Sequence, residues 1–320
     1  MSSRWKARLR VAVGYVLAIV VGLLVHRLVV VFAIPGTPGN AKLRGMAPDC
    51  SWKRSLLMVR DYEWGAIHHA KVAASERLLR SDTTLGLEQY ATLNGAFWLK
   101  REGNQLDGKS LLTYLITDHN WVVQTNPENV VHEGDTVIDC GAHVGVYTAK
   151  ALALGAARVV SIEPDPGNLE CLRRNLSAQI AAGRVIVVDQ GVWSSEGKLV
   201  LHEAVDNSGM NSVVGRAGGT DVAISVTTID ALVRRLNLPR VDYIKFDIEG
   251  AEREALRGGM STLRSFRPRL MLDANHRPDD MQVLPALIRQ AHADYRYHCG
   301  VCGFVDKPTR KLVPREIFFE

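Results

Sequence analysis

From Thr136 to the C-terminus the chain alternates short β-branched runs with helical stretches, and no other feature narrows the possible folds so far. Thr136–Cys140, Arg158–Ile162, Arg184–Val188, Asp242–Phe246 and Leu270–Leu272 read as strands. Val146–Leu154, Pro166–Ala178, Thr228–Leu236, Ala251–Gly258 and Met281–Ala293 read as helices. Such alternation predicts an α/β fold, a doubly wound parallel sheet with helices on both faces. Lys198–His202 and Ala223–Val226 suit an inserted hairpin, and Tyr295–His298 with Glu316–Phe319 suit a terminal antiparallel hairpin at the sheet's edge.

Ahead of this lies a run from Val11 to Ile34 that is apolar apart from His26 and Arg27. A helix rising ~1.5 Å per residue crosses ~30 Å of hydrocarbon in about 20 residues. The run therefore predicts one N-terminal transmembrane helix, a single-pass anchor whose partner is the lipid bilayer. Arg27 would snorkel toward headgroups at the far end. Residues 1–10 form a basic tail, 11–34 the anchor, 35–124 a linker and N-terminal helical or cap region, and 125–320 the main domain. Pro35-Gly-Thr-Pro-Gly39 opens the linker, Ser51 to Arg80 reads as helical, and Gly95 to Val123 as short strands and turns, with a turn at Asp107-Gly108.

Charge follows the same division. The first sixty residues hold ten Lys or Arg against one acid, Asp49, while the whole chain carries only +5. The remainder is thus net negative, which argues against nucleic acid as a partner and for a membrane surface beside the anchor. The positive-inside rule would send the domain across the membrane, but Lys42, Arg44, Lys53 and Arg54 follow the helix and weaken that bias. Five cysteines, Cys50, Cys140, Cys171, Cys299 and Cys302, are scattered, unlike a disulfide framework, and Cys299–Cys302 lacks a second pair for zinc.

The sharpest local signal is Val137-Ile-Asp139-Cys-Gly141-Ala142-His143-Val-Gly145-Val-Tyr147-Thr148: an acid-ended strand, a glycine turn and a helix. Ligands of doubly wound sheets sit outside such strand ends. A dinucleotide site needs G-x-G-x-x-G to admit a pyrophosphate; here the middle glycine is missing and Asp139 would repel phosphate. A cationic adenosyl donor, S-adenosyl-L-methionine, tolerates the acid, and its carboxylate can meet N–H groups at the helix start. Glu163-Pro164 ends the second strand, placing Glu163 to bind ribose hydroxyls. Asp189, Gln190 and Gly191 end the third, where adenine would lie.

The block Tyr243-Ile-Lys245-Phe-Asp247-Ile-Glu249-Gly-Ala-Glu252, with Val137–Thr148 and Ser161-Ile-Glu-Pro164, resembles the FkbM-type methyltransferase family. The resemblance covers about Thr125 to Asp273. It implies a class I methyltransferase (Rossmann-like) fold, S-adenosylmethionine as methyl donor, and a hydroxyl oxygen as the usual acceptor. His143 stands where that family commonly has Asn. On the residues themselves, Lys245 and Asp247 share one face of their strand by alternation, Glu249 and Glu252 should fall in the next helical turn, and Asp273 and His276 close the neighbouring strand. Asp247, Glu249, Lys245, His276 and Asp273 are accordingly the catalytic candidates, with His276 a proton acceptor. No metal ligand is assigned outright, although Mg²⁺ on Asp247, Glu249 and Asp273 is compatible with their oxygens. The expected function is membrane-anchored O-methylation of a glycan, lipid-linked sugar or related metabolite. A non-catalytic adenosylmethionine-binding scaffold is the alternative. Cytosolic supply of the donor suggests a domain facing the cytoplasm.

Overall fold

The computed structural model describes residues 3–33, 37–45, 47, 49–101, 108–204, 207–215, 218–305 and 312–320. At its centre is a seven-stranded sheet: β1 Thr136–Cys140, β2 Arg158–Ile162, β3 Val185–Val188, β4 Tyr243–Phe246, β5 Arg269–Asp273, β6 Tyr297–Cys299 and β7 Glu316–Phe319. In space the order is β6-β7-β5-β4-β1-β2-β3, parallel except for β7, which runs against both β5 and β6. The register is flush. Cys140 pairs with both Ile162 and Phe246, Phe246 with Leu272, and Ile162 with Val188.

Strands buried on both faces need apolar side chains in both directions, which is why these runs lack polar alternation. Ile138, Ile244, Phe246, Leu270 and Leu272 point into one core layer; Val137, Tyr243, Met271 and Phe318 point into the other. The inserted hairpin forms as expected from Gly197–Ala204 and Gly218–Thr227, and Gly191–Val192 adds to it in parallel. Asp206, in the sequence between the two hairpin strands, lies outside the described residues, as does Asp107.

Three expectations are corrected. Gly95 to Val123 is not a series of strands: Gly95–Lys100 is one strand, and Gly108–Thr125 is a helix. Leu111, Leu112, Ile116, His119 and Val122 are all buried along it, so helical packing outweighs the β-leaning Thr, Tyr, Ile and Val of this stretch. The helix beginning at Trp52 ends at Ser75, and Arg77–Asp82 is already a strand, paired antiparallel with Leu87–Thr92. The cysteines are not all unpaired. Cys50 and Cys302, 252 residues apart, form a disulfide that ties the segment after the N-terminal helix to the C-terminal hairpin.

The N-terminal helix spans Ser3–Phe32, with 23 residues from Arg10 to Phe32 at mean hydropathy 2.5. Its large apolar side chains from Val11 to Val29 are exposed. By length and composition it is able to cross a membrane. Arg27 lies 3.7 Å from Glu63 of the helix Trp52–Ser75, so this cation has a protein partner.

Candidate active site

Flush strand ends create one rim. Gly141, Glu163, Asp189 and Asp247 each follow a strand, Asp273 ends β5, and the reversed β7 begins there with Glu316 opposite Asp273. A cavity of about 1190 Å³ opens above this rim, roofed by the helix Gly108–Thr125 and the segment Asn207–Val213.

Its floor is a buried charge lattice. Asp139 accepts from Thr148 Oγ1 at 2.7 Å, and Thr148 also meets Ser161 Oγ at 2.8 Å. Lys245 Nζ sits 3.4 Å from Asp139 and 3.4 Å from Asp247, donating to the Gly141 carbonyl at 3.0 Å. Burial lowers the lysine's pKa, but Asp247 and Asp139 outweigh it and drive it above the usual range. Only 3% of the Lys245 side chain is exposed and it is not among the cavity-lining residues, so it braces the floor through Asp139 and Asp247. Asp139, Ala142 and Thr148 likewise lie beneath the cavity. At Gly141, φ is +80° and a Cβ would collide with the Asp247 carbonyl oxygen, so glycine lets the β1 and β4 ends meet. Gly145 serves the helix instead: its Cβ would stand 2.8 Å from Leu176, away from the cavity.

On one side Glu163 and the residues around it line the cavity. Glu163 accepts from the backbone N–H of His143 at 2.8 Å and of Asp165 at 2.9 Å. Burial pushes its carboxyl up to about 7 against the pull of these donors. His143 occupies the left-handed region at φ +49°, where His is among the better-tolerated non-glycine residues. Its Nε2 lies 2.9 Å from Ser208, and burial lowers its pKa to about 4. His143 Nδ1 is buried with no hydrogen-bond partner among the described residues. Pro164, Gln190 and Gly191 line this end. Asp189 does not: its side chain is 70% exposed, 3.8 Å from Arg173.

The other side is acidic. Glu249 is not helical; it sits at φ +51° in the turn before the helix Glu252–Gly258. Glu252 is buried and holds that turn, accepting from the N–H of Ile248 at 3.1 Å and from His276 Nδ1 at 2.9 Å. His276 Nε2 points toward Glu249, 3.6 Å away. Burial would lower the imidazole's pKa, yet the hydrogen bond and charge of Glu252, then Glu249, lift it to about 11. Burial raises the Glu249 carboxyl to about 7. For Asp247, burial acts upward but Lys245 outweighs it and holds the carboxyl below its usual value.

Three lining groups escaped the sequence. Arg315, just before β7, pairs with Asp118 and donates to Tyr114 Oη at 3.0 Å, both on the helix Gly108–Thr125. An i,i+4 Tyr–Asp pair on a recognised helix was the available signal, and reading that stretch as strands hid it.

The profile of the methyltransferase FkbM domain family matches residues 139–299. Methyltransferase sdnD of Sordaria araneosa is 25% identical over 186 residues, 48% of this chain and 70% of that protein. Hexuronic acid methyltransferase AglP of Haloferax volcanii is 29% identical over 136 residues, 42% of this chain and 53% of its own length. Among solved structures, methyltransferase FkbM from Methylobacillus flagellatus KT matches with TM-score 0.47 at 17% identity, covering 88% of this chain and 65% of that one.

Proposed function

Because the chain belongs to the FkbM methyltransferase domain family, we propose that it transfers methyl from S-adenosylmethionine to a hydroxyl of a glycan, lipid-linked sugar or related metabolite at a membrane. The observation that carries this reading is the row of carboxylates at the strand ends, Glu163, Asp247 and Asp273, lining one cavity. Carboxylates there favour a sulfonium and an ammonium and disfavour a pyrophosphate. The buried, unpartnered Nδ1 of His143, and the acceptor capacity that Glu163 keeps beyond its bonds from His143, Asp165 and Asn168, fit a polar nucleoside beside them. AglP, by its name, acts on a sugar acid, which supports a sugar-like acceptor.

When bound, the donor supplies an electrophilic methyl on sulfur. This chain's residues do the rest. In-line approach requires a fixed acceptor, and Tyr114, Asp118 and Arg315 form a cross-linked wall able to hold one. The acceptor's O–H proton must leave as the C–O bond forms. Glu249, with its carboxyl raised to about 7, is suited to take it near neutral pH. His276, raised to about 11, already carries its proton; without a bound cation it orients Glu249 rather than acting as the base. The helix Ser3–Phe32 would anchor the chain, keeping the cavity near membrane-bound acceptors.

The test is transfer of labelled methyl by the full chain in detergent to membrane glycan and lipid fractions. Glu249→Gln should reduce transfer by about 100-fold or more. Donor binding without transfer to any fraction would support the scaffold reading instead.

A further inference from the structure

Asp247, Asp273 and His276 each present one ligand atom, and the three atoms lie within 4.8 Å of one another at the end of β4 and the end of β5. Of the oxygens considered from sequence for Mg²⁺, Glu249 is replaced in this convergent set by an imidazole. Three features distinguish the set from a chance cluster of acids. Asp273 is nine-tenths buried, lines the cavity, and has no side-chain hydrogen bond or ion pair among the described residues. His276 is already oriented as a ligand: Nδ1 is held by Glu252 at 2.9 Å, and Nε2 is left facing the cavity with Glu249 beyond hydrogen-bond range at 3.6 Å. A carboxylate behind a histidine is the arrangement that fixes ring orientation and raises basicity at metal centres. Finally, five carboxylates gather at this corner, and Asp247 is paired with Lys245, Glu316 with Arg315, and Glu249 and Glu252 with His276, so Asp273 is the one left without a cation among the described residues.

We infer that Asp247, Asp273 and His276 bind a first-row divalent cation, with Mn²⁺ the best match to their donors. Two carboxylates and one imidazole are a mixed oxygen–nitrogen set, and imidazole disfavours Mg²⁺, which prefers oxygen and retained water. Ion binding displaces the Nε2 proton of the ring, as at any imidazole site. Three protein ligands leave open positions on a six-coordinate ion, and these face the cavity. On the methyl-transfer reading, they suit an acceptor with two neighbouring oxygens, a vicinal diol or a hydroxy acid, one of which receives the methyl group.

The experiment is Mn²⁺ titration of the chelator-stripped full chain in detergent, followed by electron paramagnetic resonance, with adenosylmethionine binding measured calorimetrically on the same sample. One Mn²⁺ per chain is expected. Asp273→Asn and His276→Gln should abolish stoichiometric binding, and Glu252→Gln should weaken it by about 10–100-fold, with circular dichroism showing that each variant is folded. Mg²⁺ in hundredfold excess should leave the signal in place. A free-ion spectrum undiminished by the chain, or unchanged affinity in the folded Asp273 and His276 variants, overturns the inference. Because the readout is not activity, loss of donor binding alone would instead count against the methyltransferase reading.

Discussion

Affinity for adenosylmethionine should rise with pH across neutrality, and Glu163 should be the cause. Its carboxyl, ordinarily near 4.5, is pushed up to about 7 by burial. An ionised Glu163, which already accepts from the N–H groups of His143 and Asp165 and from Asn168 Nδ2, keeps capacity for a ribose hydroxyl; a protonated one spends that capacity on its own proton. With a pKa of about 7, roughly one chain in eleven is competent at pH 6 and ten in eleven at pH 8, so Kd should fall about tenfold, ~1.4 kcal/mol. The stability linkage has the matching sign. A carboxyl raised on folding contributes stability fully below about 4.5 and loses it as pH climbs through about 7. Donor binding should then release nearly one proton at pH 6. Calorimetry in buffers of differing ionisation enthalpy measures both quantities. Glu249, which lines this cavity, and buried Glu316 next to Arg315 are also pushed up to about 7, so Glu163→Gln is the decisive control. It should bind weakly and without the slope. A Kd constant within twofold from pH 6 to 8, or the same slope in Glu163→Gln, refutes the reasoning.

Gly134→Ala and Gly141→Ala both place a side chain at positive φ, a cost of roughly 1–2 kcal/mol, but only Gly141 has a carbonyl oxygen against its Cβ. Gly141→Ala should therefore lower Tm further and remove donor binding; equal losses would contradict the close approach of β1 and β4. Lys245→Met leaves Asp139 and Asp247 facing each other without their shared cation and should cost about 3–5 kcal/mol in denaturant unfolding. A loss below about 1 kcal/mol would show that the lattice does not depend on the ammonium.

What the sequence revealed was what lies close along the chain. The acid-ended strand, the Gly141 bend and Glu163 are separated by one helix, and a parallel strand pair returns them to the same rim. Alternation put Lys245 and Asp247 on one face correctly, yet it carries no information on depth, and Lys245 proved to lie under the floor. Glu249 looked helical because a following glycine is compatible with either a helix start or a turn; the Glu252 grip on Ile248 decides for the turn. Arg315 and Glu316 were invisible for a topological reason. They reach the rim only because β7 runs backward between β5 and β6, so its first residues meet the last residue of β5. Pairing of Cys50 with Cys302 depends on the same C-terminal excursion.

With the helix Ser3–Phe32 acting as the anchor proposed above, that disulfide bears on which side of the membrane the domain would occupy. Four basic residues, Arg4, Lys6, Arg8 and Arg10, precede the apolar helix segment, and Lys42, Arg44, Lys53 and Arg54 follow it, so charge alone barely chooses an orientation. Closing a loop of 252 residues restricts the unfolded chain by about 5 kcal/mol in the entropy model, a constraint available only where thiols oxidise. Cytosolic donor supply favours the cytoplasmic face; the disulfide favours the opposite face, where the donor would have to be imported. Alkylation of intact vesicles followed by mass spectrometry distinguishes them. If Cys50 and Cys302 resist alkylation until reduced, and protease added outside cytoplasm-side-out vesicles leaves the domain intact, the domain lies on the far side, and Cys50→Ser should lower its Tm. Free thiols at both positions with a protease-accessible domain would place it in the cytoplasm, and reductant would then leave Tm unchanged.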